Sequence, residues 1–272
     1  MKKYLIIAAV LLAACTREDP APDPELVVEA WIESDGEPVV MVTTSVTPTR
    51  EPQQLSSLSS HVEKYAKVTL DDGEKRVILT GFISNRFYPP YYYTTGRIKG
   101  EVGKTYTLTV ESKGRKAQSS VTVPEPLMLK GLEYVPYGDN GDLFLLKAKY
   151  TGNTHCKFFT KIEGVDKEYV PALTGLATTD GVNEVTIRPG NTLNRTEKRP
   201  AFKSGETVWI KCCTMDDGMY ALWKTLDDLI YLDTTAFFTL DTNLPGNVDG
   251  AIGYFAGYGK TEYIINLPQP QP

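Results

Sequence analysis

The sequence predicts an all-β fold, with an immunoglobulin-like sandwich followed by a second β-rich domain that contains one short helix. Three observations predict it. Short runs rich in Val, Ile, Thr and Tyr recur along the chain, Gly-containing turns separate them, and one stretch repeats its apolar residues at helical spacing. The chain has 272 residues, of which 41% are apolar and 23% charged, and this composition excludes global disorder.

The N-terminus has the pattern of an export signal that ends in a lipid anchor. Two lysines precede the apolar stretch 4–12, which is too short to span a bilayer as a permanent helix. Leu12-Ala13-Ala14-Cys15 resembles a bacterial lipobox, in which the cysteine thiol is diacylated, cleavage follows, and the new amine is often acylated. We therefore predict a signal peptide at residues 1–14 and lipidation of Cys15. The alternative is a soluble secreted protein with a chance cysteine at the cleavage site.

The segment after the cysteine, residues 15–25, is predicted to be an extended tether. It contains three prolines, and at about 3.1 Å per residue it spans roughly 30 Å. Its acidic pair Glu18-Asp19 resembles the signal that exports Bacteroidota lipoproteins to the cell surface. We expect an outer-membrane protein, lipid-anchored and exposed on the cell surface. The alternatives are an ordinary solvated linker and a leaflet that faces the periplasm.

The charge of the chain argues against two classes of partner. The formal net charge is −5, and it becomes −7 when the two lysines of residues 1–14 are removed. An acidic body with no basic run is not expected to bind nucleic acid. It is equally not expected to dock electrostatically on anionic lipid head groups.

The first predicted unit, residues 26–124, consists of short strands in hairpins. Two Asp-Gly turns, Asp35-Gly36 and Asp72-Gly73, are each flanked by β-rich runs, and residues 48–60 form a polar loop between the two hairpins. Residues 105–110 alternate Thr with apolar side chains, and residues 117–123 return after a turn. Pro124-Glu125-Pro126 interrupts the pattern and is predicted to separate two domains.

The second predicted unit, residues 127–267, combines strands with a helix. The predicted strands are 143–150, 156–162, 182–187, 207–213 and 253–265. Apolar residues from Met219 to Ile230 recur at intervals of three and four, and Asp216 or Asp217 can cap the helix that they predict. We expect this helix to cover one end or face of the second β layer. Residues 268–272 are predicted to be a disordered tail.

We find no sequence pattern for catalysis, for a metal or for a cofactor, and we expect a protein that is not an enzyme. His61 and His155 have no spaced partner, and His155 and its neighbour Cys156 would point to opposite faces of a strand. The residues Asp139-Asn140-Gly141-Asp142 offer oxygen ligands but fit a turn better than a calcium loop.

Three cysteines remain besides Cys15. Cys212 and Cys213 lie on one predicted strand, one inward and one outward, and the inward thiol could meet Cys156 across the core. We prefer a set of buried, inert thiols to a disulfide.

The segment 87–93 is the most unusual part of the sequence. Its candidate ligand- or partner-binding residues are Phe87, Tyr88, Tyr91, Tyr92 and Tyr93. Consecutive aromatic residues on a strand cannot all face inward, and exposed rings on a stiff backbone favour binding to a sugar or to a protein groove. The alternative is an edge strand whose rings pack on the neighbouring domain.

Four features resemble a Bacteroidota lipoprotein family of unknown function, the domain-of-unknown-function family four-two-four-nine. They are the lipobox with its acidic tether, the entry strand 26–32, the strand 103–108, and the segment 243–255. The resemblance implies an outer-membrane lipoprotein often encoded beside TonB-dependent receptors, and it implies no catalytic residues. Independently, the glycines at positions 246, 250, 253, 257 and 259 predict tight turns or close backbone approach.

The functional hypotheses follow from the anchor and the aromatic segment. The first is a non-enzymatic surface lipoprotein that serves as an accessory or binding subunit of a TonB-dependent receptor system. The second is a glycan-binding surface module that uses the segment 87–93. The third is a hydrolase whose site forms only in the folded chain, and a cleft with convergent carboxylates would favour it.

Overall fold

The structure is a computed structural model, and it describes residues 23–45, 59–139, 141–177, 181–190, 199–233 and 244–270. The predicted signal peptide, Cys15, most of the tether and most of the loop 48–60 lie outside the described residues. The N-terminal elements are β1 (Leu26–Glu33), β2 (Val39–Thr44), β3 (Lys67–Asp71), β4 (Arg76–Ile78), β5 (Thr80–Ile83), β6 (Tyr91–Thr94), β7 (Thr105–Ser112) and β8 (Arg115–Thr122). The C-terminal elements are β9 (Leu129–Pro136), β10 (Leu143–Gly152), β11 (His155–Ile162), β12 (Val170–Ala177), β13 (Gly181–Ile187), β14 (Phe202–Lys203), β15 (Thr207–Met215), α1 (Asp217–Asp233) and β16 (Ile252–Asn266).

The strands form three sheets. The largest has eight strands in the order β12-β11-β15-β16-β1-β2-β6-β5. One four-stranded sheet has the order β4-β3-β7-β8, and in the other β9, β13 and β14 all pair with β10. The prediction of an all-β chain with one helix is therefore confirmed, while the immunoglobulin-like detail stays a prediction.

Two hydrophobic cores lie under the eight-stranded sheet. The first takes its buried residues from Leu26 to Val123 together with Phe255, and the second takes them from Leu127 to Leu267. The strand β16 belongs to both, because Phe255 is buried in the first core and Tyr263 packs against the second. Its first half pairs in parallel with β1 and its second half pairs antiparallel with β15. This one strand therefore joins the two halves of the molecule into a single sheet.

The predicted hairpins are confirmed. The strands β1 and β2 pair around Asp35-Gly36, and β3 and β4 pair around the turn that contains Gly73. The pair β7–β8 is the third hairpin. The sequence analysis did not identify β9 or β12. In β12 the burial does not alternate strictly, and its pairing with β11 shifts register between Lys157 and Phe159.

The helix α1 begins as the sequence indicates. The Asp216 carboxylate Oδ1 accepts a hydrogen bond from the Met219 backbone N–H at 2.8 Å, which is the bond of a helix cap. Met219 and Leu222 pack against Cys213, Met215 and the outer side of the eight-stranded sheet. The helix thus covers part of the outer face of the sheet.

The three cysteines of the body are free and buried. Cys156 and Cys212 lie in the second core, whereas Cys213 lies on the opposite face of the sheet, under the helix. The prediction of buried thiols without a disulfide is therefore confirmed, and Cys212 and Cys213 point to opposite faces of the sheet as expected, with the outer thiol covered by the helix. Burial raises the pKa of the Cys213 thiol, so that it stays protonated.

The close backbone approach predicted for the glycines of the last strand is confirmed. A Cβ added at Gly253 would lie 1.9 Å from the Val28 carbonyl oxygen, and its φ of +123° is one that other residues rarely adopt. A Cβ at Gly259 would lie 2.4 Å from the carbonyl oxygen of Pro124.

The predicted disordered tail needs a correction at its first residue. The Pro268 carbonyl accepts a hydrogen bond from the Gly205 N–H at 2.7 Å, so the chain is attached to the body at this point. Gln271 and Pro272 lie outside the described residues.

Candidate ligand-binding cleft

A cleft of about 520 Å³ lies on the outer face of the eight-stranded sheet. We call it the central cleft. Its walls come from the helix α1 on one side and from the loop 84–90 on the other. Aromatic side chains that line it include Trp31, Phe87, Tyr92, Phe159, Trp223 and Tyr254. Charged side chains that line it include Glu33, Arg86, Glu168, Lys211, Lys260 and Glu262. The combination of apolar rings with a few polar groups is typical of a small-molecule site.

Strand alternation places these residues on one face. In β1 the residues Leu26, Val28, Ala30 and Ile32 are buried in the first core, so Trp31 and Glu33 point to the outer face. Trp31 pairs with Ala256 and Glu33 with Tyr258 in the parallel ladder. The outer face of β16 therefore continues the outer face of β1.

The aromatic rings form two clusters with edge-to-face geometry. The Phe87 ring lies 5.3 Å from the Trp31 ring and 5.2 Å from the Tyr92 ring, at interplanar angles of 81° and 85°. On the other side, the Phe159 ring lies 5.5 Å from the Trp223 ring. The Trp223 Nε1–H donates a hydrogen bond to the Tyr258 hydroxyl at 3.0 Å. Such contacts fix ring orientations, so the cleft is organised before any ligand arrives.

Three carboxylates and three cations of the central cleft form ion pairs, whereas a fourth lining carboxylate, Glu37, forms none within 4.0 Å among the described residues. The Lys211 ammonium forms an ion pair with Glu33, and Lys260 lies 3.7 Å from Glu33 and 3.8 Å from Glu262. Burial acts to lower the pKa of Lys211, but nearby groups that include Glu33 outweigh it and raise that pKa. Lys211 therefore stays charged at neutral pH, with its ammonium 5.2 Å from the centre of the Phe159 ring.

The loop 84–90 is tied across the cleft by one bidentate ion pair. The Arg86 Nε and Nη2 atoms donate to the Glu168 carboxylate at 2.8 and 3.2 Å. Glu168 immediately precedes Tyr169 and β12, so this pair links the N-terminal half of the chain to the C-terminal half. The ion pair holds Phe87 over the sheet.

The structure divides the aromatic residues that the sequence singled out. Phe87 and Tyr92 line the central cleft. Tyr88 is 39% exposed and lines a separate cavity of about 290 Å³ with Glu29 and His61.

The other two aromatic residues face the first core. Tyr93 is buried, its hydroxyl accepts a hydrogen bond from the Ala66 N–H at 3.0 Å, and it donates one to the Glu63 carbonyl. Tyr91 is partly buried, and its hydroxyl donates to the Lys64 carbonyl at 3.0 Å. The alternative of an edge strand is wrong, because β6 lies between β2 and β5. These two rings stabilise the fold and face away from the cleft.

The sequence analysis did not single out Trp31, Phe159, Tyr254 or Lys211 as site residues. A usable signal was present in Trp31 and Tyr254, which occupy outward positions on predicted strands whose inward positions are apolar. That signal does not say which strands are neighbours, and the cleft depends on the pairing of β1 with β16.

His155 does not form a catalytic pair with Cys156. Its ring stacks on Tyr220 at 4.1 Å, and its Nε2 lies 3.1 Å from the Asp217 carboxylate, whereas Cys156 is buried in the second core. Across the part of the chain that the structure describes, no group of three His, Cys, Asp or Glu residues is arranged to hold a metal ion. In that same part, no helix is long and apolar enough to cross a membrane.

Comparison with known families agrees with the resemblance noted in the sequence. A family model described as "Domain of unknown function (DUF4249)" matches residues 16–264. The chain belongs to the DUF4249 family. No curated protein matches the sequence.

The DUF4249 chain has a structural use for the segment 243–255 that carried the resemblance. The Asn247 side chain accepts a hydrogen bond from the Phe255 N–H and donates one to the Phe255 carbonyl, both at 2.8 Å. Gly250 has a φ of +78°, and a Cβ there would lie 2.3 Å from the Lys116 carbonyl oxygen. This segment positions the start of β16, and with it Tyr254 in the central cleft.

Proposed function

We propose that this DUF4249 protein is a lipid-anchored surface protein that binds a neutral glycan in the central cleft. The observation that carries the proposal is the lining itself, in which aromatic rings lie together with three carboxylate–cation pairs. The C–H faces of sugar rings stack on aromatic side chains, and carboxylate and ammonium groups bond to hydroxyls. The volume of about 520 Å³ lies within the range of small-molecule sites.

The charge balance of the cleft favours a neutral ligand over an anion. Glu33, Glu168 and Glu262 each lie within 4 Å of a cation on Arg86, Lys211 or Lys260. An anionic ligand would have to displace a carboxylate from such a pair, which leaves that carboxylate uncompensated, and it would also face the lining carboxylate of Glu37. Hydroxyl groups can insert among the paired charges without this cost.

The same pairing favours binding over hydrolysis. Carboxylates do converge in the cleft, as the hydrolase hypothesis requires, since Glu33 and Glu262 both contact Lys260. However, Glu33 and Glu262 both lie within 4 Å of the same Lys260 ammonium, so each carboxylate already has a charged partner in the absence of a ligand. We therefore propose that the chain is not an enzyme.

We expect the aromatic lining to dominate glycan affinity. The Phe87→Ala change is expected to weaken the binding of a glycan identified on an array by about tenfold or more. The reason is that buried aromatic anchors carry most of the energy of such contacts. Tyr134→Ala is the matched control, since Tyr134 is 43% exposed on β9 and outside the cleft. Glycan-array screening followed by calorimetry measures both. A wild-type protein that binds no glycan, or equal losses in the two variants, would overturn the proposal.

The second part of the proposal concerns location and partner. We propose that Cys15 carries the lipid, and that the body serves a TonB-dependent receptor complex in the outer membrane. The lipobox and the acidic tether support the anchor. Two exposed apolar residues on the edge strand β5, Phe82 at 47% and Ile83 at 81%, support a protein partner on the body.

Metabolic labelling tests the anchor and the partner together. Radiolabelled palmitate is expected to enter the wild-type chain and not the Cys15→Ser variant. The labelled protein is then expected to co-purify from mild detergent with an outer-membrane barrel. Absence of label from the wild-type chain contradicts the anchor, and a labelled protein that purifies alone contradicts the receptor role.

A further inference from the structure

We infer that the end of the body where the tether enters is a membrane-facing surface that binds anionic lipid head groups. This inference rests on the lipid anchor of the proposed function. We call the region the tether-end surface, and it comprises Lys64, Tyr65, Lys67, Lys113, Arg115 and Lys116.

The tether-end surface is a concave region at the tip of the β7–β8 hairpin. A depression of about 360 Å³ is lined by Tyr65, Lys67 and the hairpin residues 111–116. Lys113 and Gly114 turn the chain there with φ values of 49° and 78°, which brings successive basic side chains to one end of the molecule. Tyr65 is 97% exposed beside these cations.

The net charge of −5 argues against docking on anionic lipid, but it does not reveal the local concentration of basic side chains that the fold produces at this end. Five cations face two carboxylates, of which Glu111 pairs with Lys67 at 2.9 Å and Glu63 with Lys113 at 2.7 Å. Among the described residues, Lys64, Arg115 and Lys116 form no ion pair within 4.0 Å. Asp23 and Glu25 of the tether flank Pro24 at this surface, so five cations meet four carboxylates in all, and we expect a moderate attraction from a net excess of one positive charge.

The tether leaves the body at this same surface. The Arg115 guanidinium donates a hydrogen bond to the Pro24 carbonyl, and the Glu25 N–H donates one to the Ser45 hydroxyl at 2.8 Å. Residue 15 is only nine positions before Pro24, so an anchor there lies within about 30 Å of the surface. A lipid at that position therefore brings the tether-end surface to the bilayer before any other part of the described chain.

The chemistry of the surface suits an anionic bilayer. Each Lys or Arg near such a bilayer contributes about 1 kcal/mol of attraction, and Tyr is enriched at the level of the head groups. The acidic remainder of the body is repelled by the same lipids. Together the two effects would orient the body with the tether-end surface towards the membrane.

A competing occupant is the tether itself, whose Glu18-Asp19 pair could bind the same cations. The two occupants predict opposite effects of anionic lipid. If the tether fills the surface, the rest of the acidic chain is repelled, and anionic lipid weakens membrane association. If the surface is open, anionic lipid strengthens association.

The test uses a surrogate anchor, so that it does not depend on native lipidation. The chain from Thr16 onward, which contains the whole region matched by the family model, carries an N-terminal histidine tag. Vesicle flotation then measures its association with phosphatidylcholine vesicles that contain nickel-chelating lipid, with and without phosphatidylserine. We expect phosphatidylserine to strengthen association roughly fivefold at low salt, and the gain to disappear at high salt.

Two charge-reversed variants complete the experiment. In Lys64→Glu/Lys116→Glu, phosphatidylserine is expected no longer to strengthen vesicle association. This variant should associate more weakly with phosphatidylserine vesicles than with neutral ones. Lys130→Glu/Lys167→Glu makes the same change in net charge at two exposed positions elsewhere and is expected to keep the gain. Weaker association of the wild-type chain with phosphatidylserine vesicles, or equal loss in both variants, overturns the inference. A missing palmitate label would instead contradict the anchor and leave this result unaffected.

Discussion

A Gly253→Ala protein is expected to lose about 3 kcal/mol or more of its free energy of unfolding, or to fail to fold. The added Cβ would lie 1.9 Å from the Val28 carbonyl oxygen and 2.8 Å from its carbonyl carbon. Val28 is the partner of Gly253 in the parallel β1–β16 ladder, and it is fully buried. Relief of the clash therefore requires that β16 move away from β1, which opens the first core. Urea denaturation followed by circular dichroism measures the loss.

The Gly73→Ala variant separates this clash from simple backbone strain. Gly73 also has a positive φ, +87°, but nothing lies within 4 Å of an added Cβ. The Gly73→Ala variant is expected to lose about 1 kcal/mol of its free energy of unfolding, which is the cost of a left-handed conformation for a residue with a side chain. Similar losses in the two variants would show that the contact between β16 and β1 is looser than described.

The Asp227→Ala variant is expected to lose about 3 kcal/mol at neutral pH. Lys157 is fully buried on β11, and its ammonium donates to both carboxylate oxygens of Asp227 on the helix at 2.8 Å. The ammonium also lies 5.2 Å from the centre of the Trp223 ring. Removal of the carboxylate leaves a charged group buried without its counter-ion, and it removes a contact that holds α1 on the sheet.

The pH dependence of this variant identifies the cause. Burial lowers the pKa of Lys157 below its usual 10.5, although Asp227 acts in the opposite direction. Between the lowered folded-state pKa and 10.5 the unfolded chain binds more protons than the folded chain, so stability from this group increases with pH. Without Asp227 the folded-state pKa of Lys157 falls further. The difference in free energy of unfolding between the wild-type chain and Asp227→Ala should therefore shrink at mildly alkaline pH. A deficit that is constant with pH would contradict the explanation.

Lys157→Met/Asp227→Leu is the control for the ion pair. It replaces the two charges with apolar groups of similar length, and it is expected to be close to the wild-type chain in stability. Because the helix wall carries Trp223, loss of α1 packing in Asp227→Ala should also weaken ligand binding in the central cleft. The double variant should restore that binding.

Local patterns were sufficient to predict much of the fold. The alternation in β7, the Asp-Gly turns and the helix cap at Asp216 depend on residues close in sequence, and the structure has each of them where the sequence indicates. The glycines of β16 were also recognisable, although not their contact partners. By contrast, β12 has neither strict alternation nor a regular register, so no local pattern marks it as a strand.

The candidate site was predicted in part, for a reason visible in the segment 87–93. The sequence identified this segment as an aromatic cluster, but it could not say which side of the sheet each ring would face. The turn before β6 and the pairing of β6 with β2 and β5 place Tyr92 in the cleft and Tyr93 in the core. Phe87 reaches the cleft because Arg86 pairs with Glu168, a residue 82 positions away.

The sequence by itself determined the all-β class, the family, the hairpins and the helix, because each depends on neighbouring residues whose spacing is fixed by the backbone. The tertiary structure alone decided that β16 pairs with β1, that Trp31, Phe87 and Lys211 share one cleft, and that lysines from two distant segments meet at the tether. Contacts between distant parts of a chain depend on which strands pair and in what register. That choice is set by the packing of two whole cores, and no short window of sequence contains it.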